Sequence, residues 1–573
     1  MTDILSHLTF LYGSERAPEL ARRLETIMAD YRTRIPARAG ELTERDSILI
    51  TYGDQLQSPG EKPLQTLSTF CDQSLKGLVS GVHILPFYPW TSDDGFSVKD
   101  YRAVDPALGD WEDISRMQGA FRLMFDAVIN HASVEHAWFQ AFLRDDPRYR
   151  DYFIVVEGRP DLSQVVRPRT LPLLTEFETP SGVKQVWTTF SADQVDLNFH
   201  NPDVLLEIID TLLLYAAQGA QFIRLDAVGY LWKEIGTSCI HLPQTHRIIR
   251  LFRSVLDAVA PHVMLITETN VPHKENISYF GNGRDEAQMV YNFALPPLVL
   301  HTFYTGNSRA LSQWAAGLEL PSGRTTFFNF LASHDGIGIN PARGILSDPE
   351  IDALIERAVR HGSLVSYKDA AGGIPAPYEL NISYFDALSD PGAQEAAGIQ
   401  VNRFMAAQAI MLALVGLPGI YFHSLFGSRS WPEGVRLTGR NRTINREKFD
   451  LTAFSGELTD ESSLRRLVFN RYAQLLRTRG ASSAFHPHGE QQVWDCGAAI
   501  FALLRLSPDG SQQVLCLHNI SGKPQSARVG LRDSFNLSSG RVNDLITNRP
   551  VDHTSNGKLS LRPYQTLWLE MRE

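Results

Sequence analysis

Eight short runs rich in β-branched and aromatic residues recur along the chain, separated by longer segments with helical period. They are Ile48-Leu-Ile-Thr-Tyr, Val82-His-Ile-Leu-Pro-Phe, Leu123-Met-Phe-Asp-Ala-Val, Phe222-Ile-Arg-Leu-Asp, Val263-Met-Leu-Ile-Thr-Glu, Met289-Val-Tyr-Asn-Phe, Thr326-Phe-Phe-Asn-Phe-Leu and Gly419-Ile-Tyr-Phe. Parallel neighbours need long crossovers, so the alternation predicts an α/β chain with a parallel sheet. Eight repeats predict a closed (β/α)8 barrel. The helix before the fourth run is the clearest. Asn201-Pro202 offers a cap and a first-turn proline, Leu205, Ile208, Ile209, Leu212, Leu213 and Ala216 follow at spacings of three and four, and Gly219 ends it.

Two gaps between strands are too long for one helix. The organisation expected is a helical extension (1–45), barrel (46–130), a loop-insertion subdomain (131–200), barrel (201–335), a second insertion (336–398), barrel (399–481) and a C-terminal antiparallel β domain (482–573). The second insertion contains Ala370-Ala-Gly-Gly-Ile-Pro-Ala-Pro, and the tail contains strand-like runs such as Gln513-Val-Leu-Cys-Leu-His. Residues 404–422 are apolar apart from Gln408, which raises the question of a membrane span. Gly416 and Pro418 break that run, so the expectation is a buried helix to about Val415 followed by a strand.

With 54 Lys plus Arg against 64 Asp plus Glu, the chain lacks the broad basic field that nucleic acid or anionic membrane needs. Cys71, Cys239, Cys496 and Cys516 form no CxxC pair, and no basic leader precedes the first apolar residues. A cytoplasmic protein with reduced thiols is expected, acting on small molecules, with a homodimer left open.

The chemistry lies at the strand ends. The fourth run ends in Arg224-Leu-Asp226, the fifth in Thr267-Glu268, and the seventh leads into Ser333-His334-Asp335. In a parallel barrel these ends share one mouth, so three carboxylates and an arginine converge. Clustered buried carboxylates are costly unless paired or protonated. Glycoside chemistry uses such a cluster. One carboxylate attacks the anomeric carbon, a protonated one assists the leaving oxygen, and the cationic transition state is stabilised.

The motif blocks are His83-Ile-Leu-Pro-Phe-Tyr-Pro, Asp93-Asp-Gly-Phe96, Asp126-Ala-Val-Ile-Asn-His131, Trp187-Thr-Thr-Phe190, Gln194-Val-Asp-Leu-Asn198, Arg224-Leu-Asp-Ala-Val-Gly-Tyr230, Ile266-Thr-Glu-Thr-Asn270 and His334-Asp-Gly-Ile-Gly. With these blocks the chain resembles the α-amylase superfamily over nearly its whole length. More narrowly it resembles the sucrose phosphorylase branch, most strongly the glucosylglycerate phosphorylases within it. The resemblance implies a glycoside phosphorylase, a hexosyltransferase, with Asp226 as nucleophile, Glu268 as acid and then base, and Asp335 as transition-state stabiliser. It implies that Arg224 keeps Asp226 ionised and that His131 and His334 bond the glucosyl ring. Asp93 and Arg442 would close over its far hydroxyls. Phe96, Phe190, Gln194, Tyr230 and Asn270 would line the same site. A covalent route implies retained configuration and carboxylates roughly 5–5.5 Å apart.

Phosphate needs a cation. No Walker-type loop is present, since Gly336-Ile-Gly338 is too short. The resemblance points instead to Arg167 and Arg169 on the first insertion, with Tyr378. Where sucrose phosphorylases carry Asp-Leu-Tyr-Gln, this chain has Ala376-Pro-Tyr-Glu379, and Asn270 replaces a histidine. A less negative site suits an anionic leaving group, and the resemblance, which carries more of the expectation, implies 2-O-α-D-glucosyl-D-glycerate as donor. Glu379 restores a charge nearby, and Arg169, Lys233 or Lys274 would meet the glycerate carboxylate. Alternatives are sucrose or glucosylglycerol phosphorolysis, then hydrolysis or transglucosylation, then an inactive barrel that only binds. No cofactor and no metal are expected. Amylase relatives often bind calcium at the position of Asn130, but the sucrose phosphorylase branch is regarded as metal-free.

Overall fold

The computed structural model describes residues 2–38, 40–369, 375–528, 542–551 and 558–571. Residues 370–374 of the expected Ala370–Pro377 turn run lie outside that set. The centre is a closed barrel of eight parallel strands. They are β1 (Ile48–Thr51), β2 (Gly81–Ile84), β3 (Arg122–Ala127), β4 (Ala220–Leu225), β5 (Met264–Thr267), β6 (Met289–Tyr291), β7 (Thr326–Asn329) and β8 (Leu417–Tyr421). Each overlaps one of the eight runs read from the sequence. Nearly every strand residue is buried, as expected where helices cover the outside of a parallel sheet.

The last strand differs in its limits. The buried helix Ala397–Ala413 ends two residues before Val415, and β8 begins at Leu417, so Pro418 lies within the strand. Gly416 permits the tight entry. Its φ is +139°, and a Cβ there would meet Asn329 Nδ2 at 2.5 Å and the Phe327 carbonyl at 2.7 Å. Gln408, the polar residue of the apolar run, accepts from Tyr472 Oη at 2.7 Å. The helix's last carbonyls have buried arginine partners: Arg479 Nε reaches Leu412 O at 3.2 Å and Arg505 Nη1 reaches Ala413 O at 2.7 Å. No helix among the described residues is long and apolar enough to cross a membrane.

Helices Thr2–Tyr12 and Ala17–Arg32 pack on the barrel's outside, where Tyr12 Oη donates to the Phe199 carbonyl at 2.8 Å. Between β3 and β4 lie the pairing of His131–Ser133 with Gln194–Asp196 and the hairpin Leu174–Thr179/Gly182–Trp187. Between β7 and β8 the strands Ile337–Gly338, Leu364–Asp369 and Pro375–Asn381 form a three-stranded antiparallel sheet. After the barrel comes a six-stranded sheet, in spatial order Glu490–Asp495, Ile500–Leu506, Gln513–Asn519, Thr566–Met571, Val542–Asp544 and Arg549–Pro550. Its strand pairs are antiparallel.

Candidate active site

Strand register assembles the centre. Arg224 on β4 is level with Asp126 on β3 and with Ile266 on β5, and Leu225 is level with Thr267. One step further, Asp226 and Glu268 leave neighbouring strands side by side, where backbones run about 4.8 Å apart. Side chains two apart on a strand share a face, so Arg224 and Asp226 both point inward. Arg224 Nη1 donates to Asp226 Oδ1 at 2.8 Å and to Asp126 Oδ1 at 2.5 Å, and its Nη2 stands 3.9 Å from Glu268 Oε2. His83 Nε2 holds the other Asp126 oxygen at 2.7 Å.

Directly after Asp226, Ala227 adopts the left-handed region at φ 48°, ψ 30°, which is strained for a residue with a Cβ. This conformation aims its N–H at Glu268 Oε2, at 3.1 Å. From β7, Asp335 receives Arg442 Nη1 at 2.7 Å, with Arg446 Nη2 at 3.7 Å. The same Arg442 grips Glu379 through Nη2 at 2.6 Å and Nε at 3.1 Å.

These groups open on a cavity of about 690 Å³. It is lined by Asp226, Glu268, Asp335, Asp93, Phe96, His131, Phe190, Gln194, Tyr230, Asn270, His334, Arg442, Arg169, Tyr378 and Glu379, all singled out in the sequence. Phe96 lies flat on the His334 ring, with centroids 4.7 Å apart and planes at 5°. His131 is buried, and its Nε2 lies 2.9 Å from the Phe96 carbonyl, so a sugar hydroxyl would share that donor. Arg169 makes no ion pair among the described residues. Its Nη1 lies 3.5 Å from the Pro168 carbonyl, and its guanidinium lies 5.8 Å from the Tyr378 ring centre and 6.0 Å from that of Phe190.

Tyr378 and Glu379 are consecutive, yet both face the cavity. A bulge explains this: Glu379 pairs with Ser366 and Pro377 with Tyr367, so Tyr378 is the extra residue and the alternation slips.

Electrostatics separate the carboxylates. Burial raises Asp126 and Asp335, but their arginine and histidine partners prevail. Arg224, with His83, brings Asp126 down to about 2, and Arg442, with His334 and Arg446, brings Asp335 well below the usual range. Asp226 and Glu268 move the other way. Burial pushes both upward against Arg224, helped at Asp226 by Glu268 and at Glu268 by Asp335. Arg224 is shared between Asp226 and Asp126, and its pull on Asp226 works against the effect of burial. Burial holds His131 and His334 below the usual histidine value.

Some expectations need correction. Lys233 does not line the cavity. Its ammonium is buried between Asp196 Oδ2, at 2.6 Å, and Asn130 Oδ1, at 2.7 Å. The short helix Val228–Tyr230 turns the chain away after Asp226. That ammonium lies against the oxygens a cation would take, so Asn130 and Asp196 do not fit a calcium ion. Arg167 does not line the cavity either. It pairs with Asp369 at 2.8 Å and borders a neighbouring cavity. Lys274 is exposed on the helix His273–Asn276 and lines neither cavity. Glu379 lines the site and shares the Arg442 guanidinium with Asp335. Asp126, His83, Asp196 and Arg446 had no assigned part. His83, Asp126 and Asp196 stand inside the motif blocks, which is their signal, but only the folded arrangement reveals what they hold.

The model of the α-amylase catalytic domain matches residues 73–319. A glucosylglycerate phosphorylase of Allomeiothermus silvanus is 53% identical, with 99% of this chain and 98% of that protein covered. The chain belongs to the α-amylase family, among the glucosylglycerate phosphorylases. A second member of that group, from Escherichia coli, is 44% identical with 99% of each chain covered. Among solved structures, the sucrose 6F-phosphate phosphorylase from Thermoanaerobacter thermosaccharolyticum superposes with a TM-score of 0.73 at 26% identity. It covers 84% of this chain and 94% of its own.

Proposed function

We propose that the chain is a retaining phosphorylase interconverting 2-O-α-D-glucosyl-D-glycerate plus phosphate with α-D-glucose 1-phosphate plus D-glycerate. The observation that carries this reading is a cavity joining three carboxylates at or beyond strand ends to Arg169, a cation without a carboxylate partner among the described residues. The names of the A. silvanus and E. coli relatives support the donor.

In this reading the shared proton of the Asp226–Glu268 pair resides on Glu268, because Arg224 touches Asp226 directly. Asp226 attacks the anomeric carbon, the bond to the glycerate oxygen breaks, and Glu268 gives that oxygen its proton. Phosphate then displaces Asp226 from the same carbon, and its own proton returns to Glu268. Two inversions retain the α configuration. Asp335, fixed by Arg442, is suited to grip sugar hydroxyls. His131, His334, Asp93 and Gln194 surround the glucosyl ring, with Phe96 and Phe190 as apolar walls. Arg169 meets phosphate, whose oxygens match a planar fork of donors, and Tyr378 stands beside it. We assign the enzyme to the cytoplasm, since its four cysteines are free.

The test supplies α-glucose 1-phosphate with glycerate, glycerol, fructose or fructose 6-phosphate. Glycerate should consume it fastest, and a faster neutral acceptor overturns the donor assignment. In the reverse direction, glucose release without phosphate should be far slower than glucose 1-phosphate formation with it. Equal rates would mean a hydrolase.

A further inference from the structure

A second cavity, of about 850 Å³, adjoins the catalytic one and shares Tyr230, Asn270 and Tyr378 with it. Arg442 is taken up by Asp335 and Glu379, and the three other Lys or Arg side chains lining these two spaces differ in their partners. Arg167 is paired with Asp369 at 2.8 Å. Arg169, on the catalytic cavity, has no ion pair among the described residues. Lys368, on the second cavity, likewise makes no ion pair among them, and its Nζ lies 3.3 Å from the Asn340 amide oxygen. Both free cations address one ring. Arg169 stands 5.8 Å and Lys368 5.9 Å from the centre of Tyr378.

Lys368 is half-buried on the strand Leu364–Asp369, opposite Ala376. Ala376 begins the Ala376-Pro-Tyr-Glu379 run that departs from the sucrose phosphorylase pattern. Burial and Arg343 lower the Lys368 pKa, with Glu275 opposing, so an anion arriving beside it would be favoured. The reaction proposed above handles two small anions, phosphate and a hydroxy acid. The site offers two cations, without ion pairs among the described residues, that share the Tyr378 ring as a neighbour.

We propose that Lys368 receives the carboxylate of the acceptor acid, leaving Arg169 for phosphate. The inference rests on the phosphorylase reading and names the specificity residue of that site. Asn340 orients the ammonium, and the Tyr378 ring keeps the two anion positions apart. Neutral acceptors such as glycerol would gain nothing from Lys368, so this residue would separate glycerate from them.

Lys368→Met keeps the aliphatic stem and removes the charge. In synthesis from α-glucose 1-phosphate it should raise the KM for glycerate about tenfold to a hundredfold, the worth of one charged hydrogen bond. The KM for glycerol should stay within about twofold, and so should the KM for phosphate in the reverse direction. Lys368→Arg should recover most of the glycerate affinity, which a merely folding-related loss would not permit. An unchanged KM for glycerate, or equal rises for glycerate and phosphate, overturns the proposal and leaves the phosphorylase reading intact. A parent enzyme that does not transfer glucose to glycerate overturns the reading, and this inference with it.

Discussion

Arg442 grips both oxygens of Glu379, with Nη2 at 2.6 Å and Nε at 3.1 Å, and its remaining Nη1 holds Asp335 at 2.7 Å. Glu379 comes from the second insertion and Asp335 from a barrel strand end, so one guanidinium fixes a loop to the catalytic floor. Replacing Glu379 with alanine frees two of the three contacts. Steady-state kinetics should show kcat/KM falling by about ten- to hundredfold, the scale of a misplaced positioning group. Unaltered kinetics would mean that Arg442 is held adequately by Asp335 alone.

Glu268→Gln removes the proton that the leaving oxygen needs. Phosphorolysis of the glucosyl-glycerate should slow by about 10²–10⁴-fold. A donor with a leaving group that needs no protonation, α-glucosyl fluoride, should still load the enzyme. Asp226→Asn should fail with both donors, because it removes the attacking oxygen. Equal rescue of both variants by the fluoride would argue against the division of roles.

Arg169→Ala should raise the KM for phosphate and let water compete for the glucosyl-enzyme. The ratio of free glucose to glucose 1-phosphate, read by chromatography, should rise by about tenfold or more. A constant ratio would place the phosphate elsewhere.

Lys233→Met leaves Asp196 buried without its cation, a loss of about 3–5 kcal/mol by analogy with broken buried pairs. Chemical denaturation should register it. Chelators should leave the parent's melting temperature unchanged, because an ammonium already lies against Asn130 and Asp196. A chelator-sensitive parent would contradict this arrangement.

Acid should weaken the fold through its buried histidines. Burial lowers His136 to about 4, and His423 and His518 to about 3, from 6.5. As pH falls below 6.5, the unfolded chain takes up protons that these residues refuse in the fold. Their contribution is therefore complete above pH 6.5 and lost progressively towards pH 3–4. Asp126, lowered to about 2, withdraws its own contribution only below its unfolded value near 3.8. Melting temperatures should drop steadily from pH 7 to 4.5, and a flat profile would refute the assignment.

The eight barrel strands could be read from the chain because each is short, apolar and followed by helical period. The carboxylates could be read because three of them end or follow three strands that open into one mouth. What escaped were relations set by register and by loops. Asp126 stands in a recognisable motif, yet its hold on Arg224 depends on β3 and β4 being level at that pair. Lys233 is a candidate partner for the glycerate carboxylate in the sequence, where nothing marks the direction of its side chain. The turn at Val228–Tyr230 directs it instead towards Asp196, distant in sequence but near in space. The joint exposure of Tyr378 and Glu379 comes from a bulge, which no two-residue alternation announces.

The bulge at Tyr378 has a consequence for how new acceptor preferences can arise. It belongs to a hairpin outside the barrel, whereas Asp226 and Glu268 ride on staves whose spacing the closed sheet dictates. Inserting or deleting a residue in that hairpin would swap which neighbour looks inward without shifting the reacting pair. Leaving-group choice can thus drift by loop slippage while the bond-breaking apparatus stays as it is.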